Sequence, residues 1–245
     1  MSQATIYYEA FLAACGAAGA IALLYFLIML NNVQNVQVSD TTKREENYDC
    51  WQHEYSMLKQ EIRTSFRKRR DAISFSDRMK WDDLLLIQFQ TLDLPFVEYV
   101  LSFYPIEEYK EINTFIITDY LHFKNPNLHI CYPKTNMENN SMNAIVCYPD
   151  SIFETNGWNI PEPIGDEIAS PSQLNIVLVP MLAFDVNGTR VGYGKGYYDR
   201  YLKECRKDCM KIGLSYFEPV DVIDDRDEFD VPLDLCITPQ RTYVF

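Results

Sequence analysis

Glycine and histidine are scarce in this 245-residue sequence, which contains 9 glycines and 3 histidines. With so few histidines, a histidine-rich zinc site is not expected. The 7 cysteines include no CxxC pair, and an odd set of this kind fits a reducing compartment. The motifs GxSxG, GxxxxGK(S/T) and GxGxxG are all absent. Their absence argues against a serine hydrolase of the nucleophile-elbow type and against the two commonest nucleotide-binding loops.

The charge balance is acidic, with 22 Lys and Arg against 35 Asp and Glu and a net charge of -13. No nucleic-acid partner is expected, because binding to phosphate backbones requires a basic surface. A smaller polyanion can still bind where basic residues cluster. The length and the hydrophobic fraction of 47% are ordinary for one globular domain with a sizeable core.

The N-terminus differs from the rest of the chain. Residues 10–30, AFLAACGAAGAIALLYFLIML, carry no charge and are long enough to cross a hydrocarbon core of about 30 Å as a helix. We therefore predict a single N-terminal apolar helix that anchors the chain in a membrane, within residues 1–31, followed by a polar linker at 32–53. A buried core helix and a cleaved signal peptide are the alternatives. No face of the segment is polar and no basic residue precedes it, which disfavours both.

The basic residues near the apolar run predict its orientation. Lys43 and Arg44 follow the run, which favours a cytoplasmic location for the C-terminal domain. Translation from Met57 would instead give a soluble cytoplasmic protein without the anchor.

Residues 54–245 alternate between helix-like and strand-like patterns, and several strand-like runs are apolar on both faces. This predicts an α/β fold, a three-layer α/β/α Rossmann-like domain with a mostly parallel sheet. Ligands of such sheets bind beyond the carboxyl ends of the strands. Helices are predicted at 54–73, from Ser74 onward, at 112–123 and from the glycine loop to about Lys207. Strands are predicted at 96–105, 128–134, 143–149, 174–184, 211–217 and 233–239.

The loop RVGYGKGYYDR, residues 190–200, lies between a predicted strand and a predicted helix. Alternating glycines suit a turn with positive φ and a close approach of the backbone to an anion. Lys195 and Arg190 add positive charge, and Asp199 offers a carboxylate to a metal ion. A purely structural turn is the alternative.

A second basic element is the first predicted helix. Lys59, Arg63, Arg67 and Arg70 recur at intervals of three and four residues and share one side of it. Such a stripe is either a solvated face or a receptor for a polyanion such as a triphosphate.

Taken together, these segments resemble the 5-formyltetrahydrofolate cyclo-ligase (methenyltetrahydrofolate synthetase) family. The similarity runs in order over about residues 57–239 and includes KQEIR, EINT, WNIPEP, VPMLAFDVNGTRVGYGKGYYDRYL and FDVPLD. It implies an ATP- and Mg²⁺-dependent closure of 5-formyltetrahydrofolate, polyglutamated or not, to 5,10-methenyltetrahydrofolate. ADP and phosphate are released, and a monomer is expected.

The resemblance also implies roles for individual residues. Lys195, Arg190 and Glu111 would be catalytic, and Asp199 and Asp230 would bind Mg²⁺. The folate would contact Glu111, Ile106, Trp158 and Tyr193. ATP would be bound by Lys59, Arg63, Arg190, Val191, Gly192, Tyr193, Gly194, Lys195, Gly196, Tyr197 and Tyr198. That Arg67 and Arg70 meet the negative folate tail is an interpretation of their charge alone.

The chain departs from the family pattern in two places. The spacing from Ser102 to Glu111 is longer by about one residue than in some members, and the N-terminal segment has no counterpart. A non-catalytic, membrane-tethered nucleotide- and folate-binding homologue is the competing hypothesis. It would be expected to have lost Lys195, Asp199 or Glu111, and all three are present. An enzyme of similar architecture acting on sugar phosphates or CoA esters would lack the GYGKGYYD loop.

A chain that begins near residue 50 is expected to be soluble and to retain the implied activity, because the resemblance begins after that point. The full chain should sediment with membranes after cell lysis, since it keeps the apolar run. Recovery of the full chain in the soluble fraction would contradict the predicted anchor.

Overall fold

The computed structural model describes residues 58–245. The predicted anchor at 1–31, with its apolar helix, and the predicted linker at 32–53 lie outside the described residues and stay predictions. Between residues 58 and 245, no helix is both long enough and apolar enough to cross a membrane.

The described part contains helices and strands in alternation. The helices are α1 (Lys59–Asp71), α2 (Phe75–Gln90), α3 (Phe115–Lys124) and α4 (Tyr197–Leu202), with a 3-10 turn at Glu107–Tyr109. The first six strands are β1 (Tyr99–Leu101), β2 (His129–Asn136), β3 (Ser141–Cys147), β4 (Phe153–Thr155), β5 (Pro161–Pro163) and β6 (Ile168–Ala169). The remaining strands are β7 (Ile176–Val179), β8 (Ala183–Phe184), β9 (Arg190–Val191), β10 (Met210–Leu214), β11 (Leu235–Ile237) and β12 (Thr242–Val244).

Eight strands form one sheet in the order β12-β11-β10-β7-β1-β2-β3-β6. The five central strands, from β11 to β2, are parallel, whereas β12, β3 and β6 pair antiparallel at the two edges. The prediction of a mostly parallel sheet is therefore confirmed for its centre. In β1, Val100 pairs with Ile130 of β2 on one side and with Ile176 of β7 on the other. The strand order reverses between these neighbours, which is where such sheets bind ligands.

Both faces of the sheet are covered, as the apolar character of the central strands predicts. One face buries Val100 and Ile176 in a core shared with α2 and α3, and the other buries Leu101 and Val177 in a core shared with α4. Successive side chains of a strand point to opposite faces, so each central strand contributes to both cores. The three-layer α/β/α architecture is confirmed.

Helix α1 packs away from these two cores. Its apolar side, Ile62 and Phe66, is buried in a third core with Ala183 of β8 and Val191 of β9, which form a two-stranded ribbon. This packing leaves the basic side of α1 free to face the end of the sheet.

Three predicted elements differ from the structure. The run at 174–184 is broken at Pro180, which has no N–H to continue the ladder, so β7 ends at Val179. The helix that was predicted to reach Lys207 ends at Leu202, where three-residue turns replace the helical hydrogen bonds. The prolines of NGWNIPEPIGD predict a loop at 156–166, whereas residues 153–163 form a hairpin of β4 and β5.

Ser74 is the N-cap of α2, whereas the sequence leaves a Ser or an Asp at the start of this helix as the possible cap. Its hydroxyl accepts a hydrogen bond of 3.0 Å from the backbone N–H of Asp77. Ser74→Ala should lower the free energy of unfolding by about 1 kcal/mol, because the N–H loses its acceptor. Chemical denaturation would measure the loss. Ser76→Ala, at an exposed position of the same helical turn, is the matched control and should change stability by less than about 0.5 kcal/mol.

Candidate active site

A cavity of about 700 Å³ lies beyond the carboxyl ends of β1 and β7. Its lining includes Phe103 and Tyr104, which follow β1, and Pro180, which follows β7. The cavity brings together all but one of the residues to which the family resemblance assigns a role. These are Lys59, Arg63, Ile106, Glu111, Trp158, Arg190, Gly192, Tyr193, Gly194, Lys195, Gly196, Tyr197, Tyr198, Asp199 and Asp230.

Val191 is the exception. It is fully buried and its side chain packs in the core beneath α1, so it does not line the cavity. The predicted contribution of Val191 to the nucleotide cradle is therefore left to its backbone, since its side chain lies outside the cavity. The reason is the period of two in β9, which places neighbouring side chains on opposite faces.

The glycine loop has the predicted conformation at two of its three glycines. Gly194 has φ +90° and Gly196 has φ +69°, values that favour glycine strongly over other residues. Gly192 has no positive φ; instead, its carbonyl accepts a hydrogen bond of 2.9 Å from Nε of Arg63. A Cβ at Gly194 would lie 3.5 Å from the guanidinium of Arg63. The basic side of α1 therefore packs directly on this loop.

Two ion pairs join the cations of the cavity to its carboxylates. Lys59 pairs with Asp230, and Nη2 of Arg190 lies 2.6 Å from Oδ1 of Asp199. The same Asp199 oxygen accepts a hydrogen bond of 3.1 Å from the backbone N–H of Val231. The residues that the resemblance assigns to phosphate binding are thus in contact with those it assigns to metal binding.

The two aspartates fit a metal ion that arrives with a phosphate ligand. Residues 58–245 contain no cluster of three or more His, Cys, Asp or Glu that could hold a metal ion alone. Mg²⁺, however, is commonly bound by one or two carboxylates together with phosphate oxygens. Oδ2 of Asp199 and Oδ1 of Asp230 accept no hydrogen bond from any described residue, so each aspartate has an oxygen available.

Glu111 is a buried carboxylate in the wall of the cavity, with only 6% of its surface exposed. Its Oε2 accepts a hydrogen bond of 2.9 Å from the backbone N–H of Ile106, and its Oε1 accepts one from the hydroxyl of Tyr193. Burial raises the pKa of Glu111, whereas the hydrogen bonds from Tyr193 and Ile106 and the positive charge of Arg70 oppose that rise.

Arg70 lines the cavity as a buried cation. It is 8% exposed, and its Nη2 donates a hydrogen bond of 2.8 Å to the hydroxyl of Tyr193. Its contact with a folate tail stays a prediction. Arg67 is exposed and lies 5.7 Å from the centre of the Tyr193 ring. Sequence reasoning assigned Arg67 and Arg70 the same role, whereas in the structure Arg70 is buried and Arg67 is exposed.

The hairpin of β4 and β5 brings Trp158 to the opposite side of the cavity. Nζ of Lys195 lies 5.5 Å from the centre of the Trp158 ring, and the ring of Tyr197 meets that indole edge-on at 5.8 Å. Oδ1 of Asn156 accepts hydrogen bonds from the backbone N–H groups of Trp158 and Ile160, at 2.8 and 3.1 Å. Sequence reasoning missed Asn156, although an asparagine ahead of a turn is a recognised signal.

Three tyrosine hydroxyls of α4, including that of Tyr201, are buried without a hydrogen-bond partner among the described residues, and two of these tyrosines line the cavity. The two that line the cavity are Tyr197 and Tyr198. Buried polar groups normally have partners, so these hydroxyls are available to a ligand.

The fold and the cavity define an α/β domain with a basic, glycine-lined ligand site at the switch point of its sheet. The sequence profile of the 5-formyltetrahydrofolate cyclo-ligase family matches residues 55–239. The chain belongs to this family, and the resemblance read from its sequence is confirmed.

Individual relatives agree with the family match. The 5-formyltetrahydrofolate cyclo-ligase of Mycoplasma pneumoniae is 41% identical over 71 residues, which are 29% of this chain and 42% of the relative. The mitochondrial cyclo-ligase of Arabidopsis thaliana is 26% identical over 198 residues, 74% of this chain and 69% of the relative. The matched segment thus spans about two fifths of the first of these relatives. The structure of Aquifex aeolicus 5,10-methenyltetrahydrofolate synthetase superposes on this chain with a TM-score of 0.64 and 26% sequence identity. The superposition covers 77% of this chain and 93% of the Aquifex chain.

Glu111 should make stability depend on pH. Because burial raises its pKa, the folded state holds the proton more tightly than the unfolded state. Ionisation of Glu111 therefore lowers the free energy of unfolding. This loss begins at the ordinary pKa of a glutamate and is complete once the pH exceeds the raised pKa of the folded state. Relative to Glu111→Gln, which cannot titrate, the wild type should lose stability as the pH rises above the ordinary carboxylate range.

Denaturant unfolding at several pH values would measure this difference. Glu108→Gln, at an exposed glutamate of the same segment, is the control and should follow the wild type at each pH. A difference between wild type and Glu111→Gln that does not change with pH would contradict the prediction.

Proposed function

We propose that this protein catalyses the ATP- and Mg²⁺-dependent closure of 5-formyltetrahydrofolate to 5,10-methenyltetrahydrofolate, with release of ADP and phosphate. The observation that carries the proposal is the cavity itself, in which the basic side of α1, the glycine loop and the buried Glu111 face one another. Membership of the cyclo-ligase family supports it.

The reaction needs an activated formyl group. A formamide carbonyl is a poor electrophile, and its oxygen is a poor leaving group. If the formyl oxygen accepts the γ-phosphoryl group of ATP, N10 of the folate can attack the formyl carbon. The bond from this carbon to the phosphorylated oxygen then breaks, N10 loses its proton, and phosphate leaves. The protein has little covalent work to do, so positioning and charge neutralisation are its main contributions.

The residues of the cavity suit these tasks. Lys59 and Arg63 of α1, with Arg190, Lys195 and the backbone of the glycine loop, would hold the phosphates. Lys195 is exposed and makes no ion pair with any described residue, so its charge is available for the transferring phosphoryl group. The folate would lie against Glu111, Ile106, Trp158 and Tyr193.

Asp199 and Asp230 would hold Mg²⁺, which when bound supplies positive charge to the phosphate oxygens. Lys59 and Arg190, now paired with these aspartates, would exchange carboxylate for phosphate. The exchange keeps each buried charge compensated before and after the nucleotide binds. The tether to a membrane and the monomeric state remain predictions from the sequence.

The proposed activity can be followed by the near-UV absorbance of the methenyl product. With 5-formyltetrahydrofolate and Mg-ATP, the protein should give an absorbance rise that depends on ATP. Lys195→Ala and Asp199→Ala should each lower kcat/KM by about 100-fold or more, since each removes a charge that stabilises the transferring phosphoryl group.

Lys203→Ala is the matched control, because Lys203 is exposed, lies outside the cavity and contacts Phe229. It should retain the wild-type rate. A folded wild-type protein that binds Mg-ATP but forms no methenyl product would overturn the proposed activity and favour a non-catalytic binding homologue.

A further inference from the structure

Tyr193 links three separate segments of the chain at one hydroxyl group. The hydroxyl donates to Oε1 of Glu111, which follows β1, and accepts from Nη2 of Arg70, at the end of α1, at 2.8 Å. Tyr193 itself belongs to the glycine loop. The hydroxyl therefore connects a cation and a carboxylate that are both buried.

Arg70 has no other anionic partner close by. No carboxylate among the described residues lies within ion-pair distance of its guanidinium, and its Nε is buried without a hydrogen-bond partner. A buried charge is tolerated when an opposite charge compensates it. Glu111, reached through the Tyr193 hydroxyl, supplies that charge, and Arg70 in turn compensates Glu111.

Within residues 58–245, the other groups that interact with Glu111 carry no positive charge. The backbone N–H of Ile106 holds Oε2, and the phenol of Tyr198 lies close enough for the two groups to interact. Arg70 is therefore the cation that acts on Glu111, and Tyr193 is the side chain through which it does so.

We propose that Tyr193 and Arg70 are positioning residues, which keep Glu111 ionised and fix its carboxylate toward the cavity for the N–H groups of a pterin ring. This inference rests on the proposed function, since it assigns the folate head to Glu111. The amino and ring N–H groups of a pterin are donors, and an ionised carboxylate is purely an acceptor. Each oxygen of Glu111 has a second lone-pair direction beyond the hydrogen bond it already accepts.

Removal of the Tyr193 hydroxyl should raise the pKa of Glu111. Burial favours the neutral form of Glu111, and the Tyr193 hydrogen bond and the Arg70 charge oppose it. Tyr193→Phe removes the hydrogen bond to Glu111 and the hydrogen bond that holds Arg70 beside it, so Glu111 should take up a proton at a higher pH. Folate binding that requires the carboxylate is then lost at a higher pH.

The test is equilibrium binding of 5-formyltetrahydrofolate without ATP, measured by isothermal titration calorimetry across a series of pH values. For the wild type, affinity should fall as the pH decreases through the titration of Glu111. We call this decrease in affinity at low pH the acid limb of the binding curve. For Tyr193→Phe, the midpoint of the acid limb should move to a higher pH by about one unit. Arg70→Gln should move it in the same direction, and Arg70→Lys, which keeps the charge, should restore much of the wild-type position.

Tyr109→Phe is the matched control. Tyr109 lies in the same cavity with its ring 6.3 Å from that of Tyr193, but its hydroxyl makes no hydrogen bond with the described residues. Its acid limb should coincide with that of the wild type. Thermal unfolding shows whether each variant is folded. If Tyr193→Phe does not fold, the pH dependence of binding by Arg70→Gln provides the same test.

Two outcomes overturn the inference in different ways. A uniform loss of affinity in Tyr193→Phe at every pH, with no movement of the acid limb, would mean that Tyr193 has a structural role only, and the proposed function would stand. A folded wild-type protein that binds no 5-formyltetrahydrofolate at any pH would remove the proposed function together with this inference.

Discussion

The parallel pairing of β1 with β7 is the constraint on which the site depends. Val100 and Leu101 lie opposite Ile176 and Val177, so the two strands end at the same edge of the sheet. The chain leaves β1 toward Glu111 and leaves β7 toward the β8–β9 ribbon and the glycine loop. Segments that are far apart in the sequence are therefore brought to one cavity by backbone hydrogen bonds between two short strands.

Helix α1 completes the site because its two sides have different partners. Its apolar side is buried against the β8–β9 ribbon, and its basic side turns toward the cavity, where Arg63 donates to the carbonyl of Gly192. The rotation of the helix is set by burial of Ile62 and Phe66. A cationic surface is thereby held in place in a chain whose net charge is -13.

Much of this architecture is predictable from the sequence, because the signals are local. Apolar runs alternating with helical patterns predict the parallel centre of the sheet, and Ser74 predicts the start of α2. The long glycine motif identifies the loop that lines the cavity. The side chain of Val191 could also have been assigned to the core, since it follows Arg190 in a strand and must point the other way.

The relay from Arg70 through Tyr193 to Glu111 was not predictable, because its members are separated by 123 and 82 residues. In the sequence, Arg70 continues the same stripe as Arg67, and no local pattern distinguishes the buried arginine from the exposed one. The antiparallel edges were missed for a related reason. Their direction depends on which neighbour each strand finds, and the composition of β3 or β12 does not encode that choice.

The ion pairs Lys59–Asp230 and Arg190–Asp199 have a consequence for how fast a polyanion reaches the cavity. At physiological ionic strength, attraction to an exposed cation extends about 8 Å. Lys59 and Arg190 are already neutralised by their aspartates, so Lys195 and Arg67 are the exposed, unpaired cations of the described cavity that attract an anion at this range. Beyond that range an anion meets the field of a chain with a net charge of -13. Salt therefore acts in opposite directions on the two stages of binding. It screens the repulsion that slows the encounter, and it weakens the contacts that hold the ligand once it has arrived.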